Sequence, residues 1–580
     1  MRLKNGFVRV VINLLVTLVF GFLYFYATLP ALNLQSKDFY FFIGLLCVVY
    51  IVCSLITSGV RAEGMREYFD FVKRQCKVPA AIVILLLLVA LVGSFLSWQV
   101  IRAGSYRDLL TVEEGNFAQE VEEISFDKIP MLDKNSAERL GDRKLGELSD
   151  MVSQFEVSNE YTQINYQDRP VRVTPLIYGD VIKWLNNRKQ GIPAYLVIDM
   201  ATQAVDVVRL SDGIKYSPSE HFGRQLNRHL RFNYPTYLFG QPTFEIDEEQ
   251  NPYWVCPRIV KRIGLFGGTD IQGAVLVNAV TGESQYYEEV PNWVDRVYSA
   301  DLIVEQYNYN GRYKNGFINS IFGQKGVTQV TSGYNYIALN DDVFVYTGIT
   351  SVGGDQSNIG FILSNQRTKE TKYYPCAGAA ENSAMSSAEG VVQHLNYKAT
   401  FPLLLNVSNQ PTYFIALKDN AQLVKMYAMV NVQQYQIVAT GASVAECEKQ
   451  YVKLLAQNKI GTTPESEETK LTGKITDIRS AVREGNTYYY IRLDASGPYY
   501  SISASAYEDA VILNVGDTVT IEYDPAAEGD IRGISAIARG EKEASSIEPT
   551  GDSPGLTLPD AVPTPSPSQS APAQTPPVQP

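Results

Sequence analysis

The sequence predicts an α+β protein: three N-terminal transmembrane helices, then repeated antiparallel-sheet-plus-helix units and a small C-terminal β-barrel. Three observations predict this fold class. Long apolar stretches fill the N-terminal region, the central region repeats a strand–turn–strand pattern, and a run of short strands follows a polar linker. At 580 residues the chain is too long for one hydrophobic core, so several folded units are expected.

The predicted transmembrane region covers residues 1–101, with spans at about 10–29, 40–59 and 78–99. Each span approaches the roughly 20 residues that a helix needs to cross a bilayer. A cleaved signal peptide would explain the first stretch alone, but not the two that follow. The spans hold no Asp, Glu, Lys or Arg, whereas transporters usually place ionisable groups at membrane depth. The predicted role of this region is therefore an anchor.

Positive charges set the predicted orientation, since cytoplasmic loops carry the excess of Lys and Arg. Eight such residues precede the first span or separate the second from the third: Arg2, Lys4, Arg9, Arg61, Arg66, Lys73, Arg74 and Lys77. The loop after the first span holds only Lys37. Arg102 and Arg107, beyond the third span, oppose the trend without outweighing it. We expect a multi-pass cell-membrane protein with a cytoplasmic N-terminus and a large extracytoplasmic C-terminal region.

The basic loop between the second and third spans contains a helical pattern. Met65, Tyr68, Phe69 and Val72 follow the spacing i, i+3, i+4, i+7. This spacing suits a short helix on the inner membrane surface, and a solvated connector is the alternative.

The remainder divides by composition and pattern into seven predicted segments. They are an acidic stalk at 102–160, a first α+β unit at 161–239, repeat unit 1 at 240–330, repeat unit 2 at 331–400, a last α+β unit at 401–464, a β-barrel at 470–540 and a disordered tail at 541–580. The tail holds ten of the 28 prolines together with Ser, Thr, Ala and Gln, a composition that cannot bury a core.

An internal duplication links the two repeat units. Residues 267–278 resemble 353–365, and the match continues in one register with a period of 87 residues. The recurring residues are Asn278, Thr281, Glu283, Tyr286 and Tyr287, which return as Asn365, Thr368, Glu370, Tyr373 and Tyr374. Partial copies flank the pair on both sides. Each copy is predicted to form strands, a tight turn and then a helix.

Three capping boxes predict helix starts in this region, because a Ser followed three residues later by Glu satisfies two exposed backbone N–H groups. They begin at Ser217, Ser386 and Ser443.

The strand–turn–strand pattern resembles the PepSY and cystatin-like group of small extracytoplasmic domains. The residues that carry the resemblance are Val275–Glu283, preceded by Phe244–Asp247 and Tyr253–Val255. The resemblance covers residues 240–451 in fragments, and the Gly-Gly insertions depart from the family. It implies an inhibitory or protein-binding module.

The C-terminal strands resemble an OB-fold, on the segments Leu471–Ile475 and Asn514–Val519. Such barrels can bind single-stranded nucleic acid through a basic, aromatic face. This chain supplies tyrosines at 488–490 and 499–500, but its net charge is −12, with 50 basic and 62 acidic residues. No nucleic-acid partner is expected, because the positive surface that neutralises phosphates is missing.

Histidines and serines show no catalytic pattern. The chain has three histidines, His221, His229 and His394, and no nucleophile or orienting acid is tied to them by spacing. Serines cluster at Ser383, Ser386 and Ser387 without a GxSxG elbow. Packing or surface placement is the favoured interpretation of both groups.

Metal and phosphate sites are not predicted either. The acidic run Glu245, Asp247, Glu248 and Glu249 lacks the spacing of a calcium loop, so an acidic turn is favoured. The pairs Gly267-Gly268 and Gly353-Gly354 lack the context of a phosphate-binding loop. The spacing of Cys256, Cys376 and Cys447 does not predict a disulfide framework. A single disulfide between two of them is the alternative. No catalytic, cofactor-binding or metal-binding residue is assigned, and no cofactor is expected.

The favoured hypothesis is a non-catalytic, membrane-anchored binding or scaffolding protein of the bacterial cell envelope. Its expected partners are the lipid bilayer and an envelope protein or cell-wall polymer. The 37 tyrosines and 24 phenylalanines suit interfaces, although they are also common in strands. One alternative is an envelope hydrolase or processing enzyme with a dispersed site. The other is an accessory subunit of a membrane transporter.

Overall fold

The computed structural model describes most of the chain between residues 6 and 539. The described residues are 6–58, 65–121, 123, 129–339, 341–353, 357–458, 460, 469–483, 486–494, 497–504, 507–523 and 529–539. The predicted tail at 541–580 lies outside them, as does Gly354 of the second Gly-Gly pair. The described residues fall into two compact units, within residues 1–463 and 464–580, and the expected α+β class is confirmed.

Five helices make up the N-terminal region of the first unit. They are α1 (Gly6–Thr28), α2 (Lys37–Ser58), α3 (Met65–Gln75), α4 (Lys77–Leu96) and α5 (Gln99–Arg107). Among the described residues, α1, α2 and α4 are long and apolar enough to cross a membrane. The three predicted spans are therefore confirmed as apolar helices, with ends that differ by a few residues.

The first two spans pack through small and polar residues. Asn13, Thr17 and Gly21 are buried on one face of α1. The Thr57 hydroxyl of α2 donates a hydrogen bond to Asn13 Oδ1 at 3.1 Å. Small residues let helix backbones approach closely in an apolar environment. The buried face of α1 therefore packs against α2.

The basic loop does form the predicted short helix, α3. Among its described side chains, Phe71 is 6% exposed, whereas Phe69 is 64% exposed. Phe71 lies outside the predicted apolar stripe.

Four antiparallel sheets follow, each preceded by a helix. Sheet A comprises β2 (Phe155–Val157), β3 (Thr162–Tyr166), β4 (Arg169–Tyr178), β5 (Ile192–Asp199) and β6 (Val205–Ile214), with helices α7 (Lys134–Gly146) and α8 (Val181–Asn187). Sheet B comprises β7 (Leu238–Phe239), β8 (Thr243–Ile246), β9 (Pro252–Ile263), β10 (Gly267–Asn278) and β11 (Ser284–Tyr287), after helix α9 (Leu226–Asn233).

Sheets C and D complete the first unit. Sheet C comprises β12 (Thr328–Val330), β13 (Asn335–Leu339), β14 (Asp342–Ser351), β15 (Ser357–Asn365) and β16 (Thr371–Ala379), after helices α10 (Ala300–Arg312) and α11 (Gly316–Ile318), and it gains the upstream strand β1 (Glu113–Glu114). Sheet D comprises β17 (Lys398–Ala399), β18 (Leu403–Val407), β19 (Gln410–Lys418), β20 (Val424–Asn431) and β21 (Val438–Gly441), between helices α12 (Glu381–Val391) and α13 (Val444–Gln457).

All four sheets share one topology. Two short strands pair in succession along the same long strand, which continues into two further antiparallel strands. In sheet B, for example, β7 and β8 both pair with β9, and β10 and β11 follow in order. The duplication visible in the sequence of sheets B and C is therefore a fourfold repeat of structure.

A turn at the end of the penultimate strand marks every repeat. One residue there accepts two backbone N–H groups through its side-chain oxygen at 2.7–3.1 Å; the four are Asp199, Asn278, Asn365 and Asn431. Asp and Asn form such turns because their short side chains reach the backbone two residues ahead. The 87-residue register also preserves a hydrogen bond: the Tyr286 hydroxyl donates to Gln272 O, and the Tyr373 hydroxyl to Ile359 O.

The sheets share hydrophobic cores in pairs. Sheets A and B bury one common cluster, which includes Tyr195, Phe244 and Trp254. Sheets C and D bury another, which includes Tyr346 and Tyr413. Because each core needs two sheets, no single repeat is a separate domain, and all four repeats lie within the first compact unit.

The segment interpreted as an acidic stalk packs against the body. Strand β1 pairs in parallel with β16, and the carboxylate of Glu120, at the end of helix α6 (Phe117–Glu120), accepts from Lys372 Nζ at 2.9 Å. Phe117 meets Phe361 edge to face at 5.1 Å. The stalk interpretation is wrong because apolar residues within the acidic sequence are buried against sheet C.

Two of the three predicted helix starts are wrong. Ser443 caps α13, accepting from Glu446 N at 3.3 Å. Ser386 lies inside α12, where its hydroxyl donates to Asn382 O. After Ser217 the next α-helix begins only at Leu226. The reason is that the Glu220 carboxylate does not close a capping box. It is buried and accepts hydrogen bonds from Tyr178 Oη and Trp184 Nε1.

The body of the first unit is fixed to the ends of the candidate spans. Ser97, after α4, accepts from the backbone N–H groups of Leu265 and Phe266 at the β9–β10 turn, at 3.1 and 3.0 Å. The guanidinium of Arg228 lies 4.3 Å from the Tyr26 ring centroid of α1. Sheet B and α9 therefore contact the ends of the candidate membrane helices directly.

The second unit is a small closed sheet of five strands. They are β22 (Thr469–Arg483), β23 (Asn486–Leu493), β24 (Tyr499–Ser503), β25 (Thr518–Tyr523) and β26 (Ile531–Arg539), paired in the closed order β22-β23-β24-β26-β25. Ile491, Val519 and Ile521 are fully buried in its core. The OB-fold resemblance stays a prediction.

Candidate ligand-binding cleft

A cavity of about 610 Å³ opens between sheets A, B and C. Its walls come from β3 and β4, from β8, β9 and β10, and from β13 with the segment between β11 and α10. The charged lining residues are Lys134, Arg172, Arg296, Glu160, Asp301 and Glu305. We call this cavity the central cleft. Its position follows from the repeat, because three sheets with the same topology meet around it.

Arg172 is the most unusual lining residue. It lies on β4 within a run of buried positions and is only 6% exposed. Its cross-strand neighbour on β3 is Gln163, and Arg172 Nη2 donates to Gln163 Oε1 at 3.3 Å. Arg172 Nε and Gln163 Nε2 are buried without a hydrogen-bond partner among the described residues. Burial lowers the pKa of Arg172 to about 10, so the guanidinium stays charged at neutral pH.

The most deeply buried charge of the cleft is cationic. Arg172 is buried, and Arg296 is half-buried, with its guanidinium 5.9 Å from the Tyr336 ring centroid. Glu160 is also half-buried, whereas Lys134, Asp301 and Glu305 are exposed. The rim therefore carries charges of both signs, and the buried guanidinium favours an anionic group at the base of the cleft.

A buried pair of carboxyl groups lies behind the cleft wall. Glu245 Oε2 accepts from Asp295 N at 2.8 Å, and Glu245 Oε1 accepts from the Thr243 hydroxyl at 3.1 Å. Asp295 Oδ2 accepts from Asn165 N at 2.7 Å. Burial raises the pKa of Glu245 to about 7. Burial and the neighbouring Glu245 raise the pKa of Asp295 well above its usual range.

The three histidines lie outside the cleft and apart from one another. His221 packs edge to face on Trp184 at 4.6 Å. His229 Nε2 lies 2.8 Å from Gly282 O, and burial lowers its pKa. His394 lies in a short 3₁₀ turn after α12. Each position agrees with the predicted structural role.

The other residues considered from the sequence also have structural placements. Asp247 Oδ1 accepts from Glu249 N and Asn251 N, which makes the predicted acidic turn. Gly267 lies so close to α5 that an added Cβ would collide with the Tyr106 hydroxyl. All six cysteines are free, and the described residues contain no group of three or more His, Cys, Asp or Glu that could hold a metal ion.

Sequence reasoning missed the residues that define the cleft, chiefly Gln163, Arg172 and Arg296. One signal was present. Arg172 lies between Val171 and Val173 in an apolar strand. In the structure this position is buried and does not face solvent. A charged residue in such a run calls for a partner, because buried charges are normally paired.

Guanidinium and amide donors in the cleft are groups that can recognise a ligand. Ser299 is committed to capping α10, where it accepts from Leu302 N at 3.3 Å. The lining residues include no His or Cys among those described. No protein-family model and no curated protein sequence matches this chain. The chain is therefore an α+β protein with candidate membrane spans and a cavity whose lining includes six charged residues.

Proposed function

We propose that this protein is a non-catalytic, membrane-anchored binding or scaffolding protein of the bacterial cell envelope, which holds its ligand in the central cleft. The observation that carries the proposal is the cavity of about 610 Å³ enclosed by three repeat sheets and containing the buried Arg172. Concave sites with a few buried polar groups are the usual form of specific binding sites.

The proposed setting is extracytoplasmic. The Lys and Arg excess around α1 and between α2 and α4 supports a cytoplasmic N-terminus, which puts the body outside. The hydrogen bonds from Leu265 and Phe266 to Ser97 hold the body close to the membrane surface. A ligand in the cleft would therefore be an envelope protein segment or a wall polymer within reach of the bilayer. The PepSY-like strand pattern supports the same role by resemblance.

Site-specific photo-cross-linking in intact cells tests the proposal. A photoreactive phenylalanine analogue is placed at Tyr334, which lines the cleft and is 36% exposed. The matched control is Tyr435, which is 43% exposed and is not among the cleft-lining residues. We expect one defined adduct from Tyr334 and none from Tyr435. Absence of an adduct at Tyr334, or equal adducts at both sites, contradicts binding in the cleft.

Labelling of intact cells tests the orientation. A membrane-impermeant amine reagent should modify exposed body lysines such as Lys134 and Lys470, with side chains 51% and 71% exposed. Modification only after the cells are opened contradicts an extracytoplasmic body.

A further inference from the structure

We propose that the central cleft binds an oxyanion of its ligand, a carboxylate or a phosphate, between the guanidinium of Arg172 and the side-chain amide of Gln163. This inference rests on the proposed function, because it names the chemistry by which the cleft would recognise its ligand.

The first step is the unmet donor capacity of the two side chains. Arg172 Nε and Gln163 Nε2 are buried donors, and neither has a hydrogen-bond partner among the described residues. The bond from Arg172 Nη2 to Gln163 Oε1 orients the amide so that its own N–H₂ remains free. Two donors are thus held side by side on neighbouring strands, at directly opposed positions.

The second step is the missing countercharge. None of the ion pairs between described residues includes Arg172, whereas exposed Arg169 on the same strand pairs with Asp199 at 3.7 Å. Asp133 and Glu138 stabilise the charge electrostatically, but neither forms an ion pair with it. A buried charge without a direct partner is unfavourable, and a bound anion would supply that partner. The planar guanidinium fork matches a carboxylate or a phosphate, and both groups share this recognition chemistry.

The third step concerns the rest of the ligand. Asp301 and Glu305 are exposed lining residues, and the half-buried Glu160 lines the same cavity. These carboxylates repel a ligand that is anionic along its whole length. The cleft therefore suits one terminal oxyanion on an otherwise neutral or cationic ligand.

Thermal unfolding of the full chain in detergent tests the inference with two probes, inorganic phosphate and acetate at millimolar concentration, each against sodium chloride of equal ionic strength. A ligand that binds only the folded state raises the unfolding temperature. We expect at least one probe to raise it for the wild type. The shift should be lost in Arg172→Met and weakened in Arg172→Lys, which keeps the charge but not the fork. Arg169→Met, the matched control on β4, should keep the full shift.

The outcomes separate the explanations. A shift with phosphate alone assigns a phosphate-bearing ligand, and a shift with acetate alone assigns a carboxylate. No shift beyond chloride, or equal shifts in the wild type and Arg172→Met, overturns the inference. If Arg172→Met does not fold, Gln163→Met removes the neighbouring donor and gives the same test. A cross-link at Tyr334 without any anion effect would leave the proposed function standing and refute only the oxyanion.

A second inference rests on a different observation, an exposed apolar turn beside the membrane helices. Residues 315–325 form a turn that presents Ile318, Ile321 and Phe322, which are 74%, 52% and 84% exposed. Two hydrogen bonds close the turn: Asn315 Nδ2 and Asn319 Nδ2 both donate to Lys325 O, at 2.8 and 3.1 Å. Several large apolar side chains exposed side by side indicate an interaction surface.

The position of the turn points to the lipid bilayer as its occupant. Tyr313, which stacks on Phe317 of the turn at 6.0 Å, donates its hydroxyl to Gln99 Oε1 at 2.7 Å. Gln99 lies three residues beyond the end of the candidate span α4. Exposed lysines at 314 and 325 flank the apolar residues, as in elements that lie in a membrane interface. We infer that residues 317–322 insert into the bilayer surface.

Tryptophan quenching in vesicles tests this placement. The full chain is reconstituted into phosphatidylcholine and phosphatidylglycerol, with or without brominated acyl chains. We expect brominated lipid to quench the added fluorescence of Phe322→Trp and not that of Val391→Trp, a matched control at the end of α12, beside sheet D, that is 49% exposed. Quenching of Phe322→Trp by aqueous acrylamide but not by brominated lipid overturns the inference.

Discussion

The buried carboxyl of Glu245 makes folding stability depend on pH in a specific way. Glu245 is fully buried and accepts hydrogen bonds from Asp295 N and the Thr243 hydroxyl. Glutamine has nearly the same shape, and it can keep both contacts with its oxygen accepting from Asp295 N and its amide donating to Thr243. Glu245→Gln therefore removes the titration while leaving the packing in place.

The size of the effect follows from the raised pKa. Burial moves the pKa of Glu245 from its ordinary value of 4.5 to about 7, so the folded state holds the proton more tightly than the unfolded state. The resulting stabilisation is fully present below the ordinary pKa. It is lost as pH rises to about 7, and it changes little above. At about 1.4 kcal/mol per pKa unit, the loss is about 3 kcal/mol. Asp295, whose pKa is also raised, changes stability in the same direction.

Thermal unfolding of the full chain in detergent measures this loss. For a cooperative unit of roughly 350 residues, about 3 kcal/mol corresponds to a shift of about 4 °C in the unfolding temperature. Between about pH 5 and pH 8 we expect the wild type to lose this much more than Glu245→Gln. The exposed neighbour Glu248 supplies the control, since Glu248→Gln should follow the wild type.

Two results would refute this reasoning. One is a Glu245→Gln variant with the same pH dependence as the wild type, which would mean that the folded carboxyl titrates normally. The other is a wild type that becomes more stable as pH rises from 5 to 7 while the variant does not, because this reverses the sign worked out above.

Four further substitutions test three local features of the fold. Ser443→Ala should cost about 1 kcal/mol because it removes a helix cap, whereas Ser386→Ala, inside α12, should cost little; chemical denaturation distinguishes them, and equal losses would contradict the observed helix starts. Gly282→Ala should destabilise by about 1–3 kcal/mol, since its φ is +79° and an added Cβ would collide with the Tyr216 ring. Ser97→Ala leaves two backbone N–H groups without their acceptor, so hydrogen exchange at the β9–β10 turn should rise about tenfold or more; unchanged exchange would show that the turn does not depend on this contact.

The sequence predicted the features that depend on local chemistry. Uninterrupted apolar stretches give the three candidate spans, because a helix in a bilayer needs only length and hydrophobicity. The repeat at 87 residues identified Asn278 and Asn365 as equivalent positions, and the structure shows that each forms the same turn through its short amide side chain. In sheets A and D the same turn is made by Asp199 and Asn431 at other spacings, so only the structure shows four copies of one topology.

Tertiary structure determined which polar side chains are buried and which groups they contact. Glu220 has the sequence context of a capping box, yet its carboxylate is buried against Tyr178 and Trp184. Two hydrogen bonds to a buried carboxylate stabilise this arrangement more than one exposed helix cap would. Likewise Arg172 and Gln163 are ordinary strand residues in sequence. They become a candidate site only because sheets A, B and C meet around them, and no local pattern records which sheets will meet. Burial depends on contacts between residues far apart in the chain, and those contacts turn a common arginine into an unpaired buried charge.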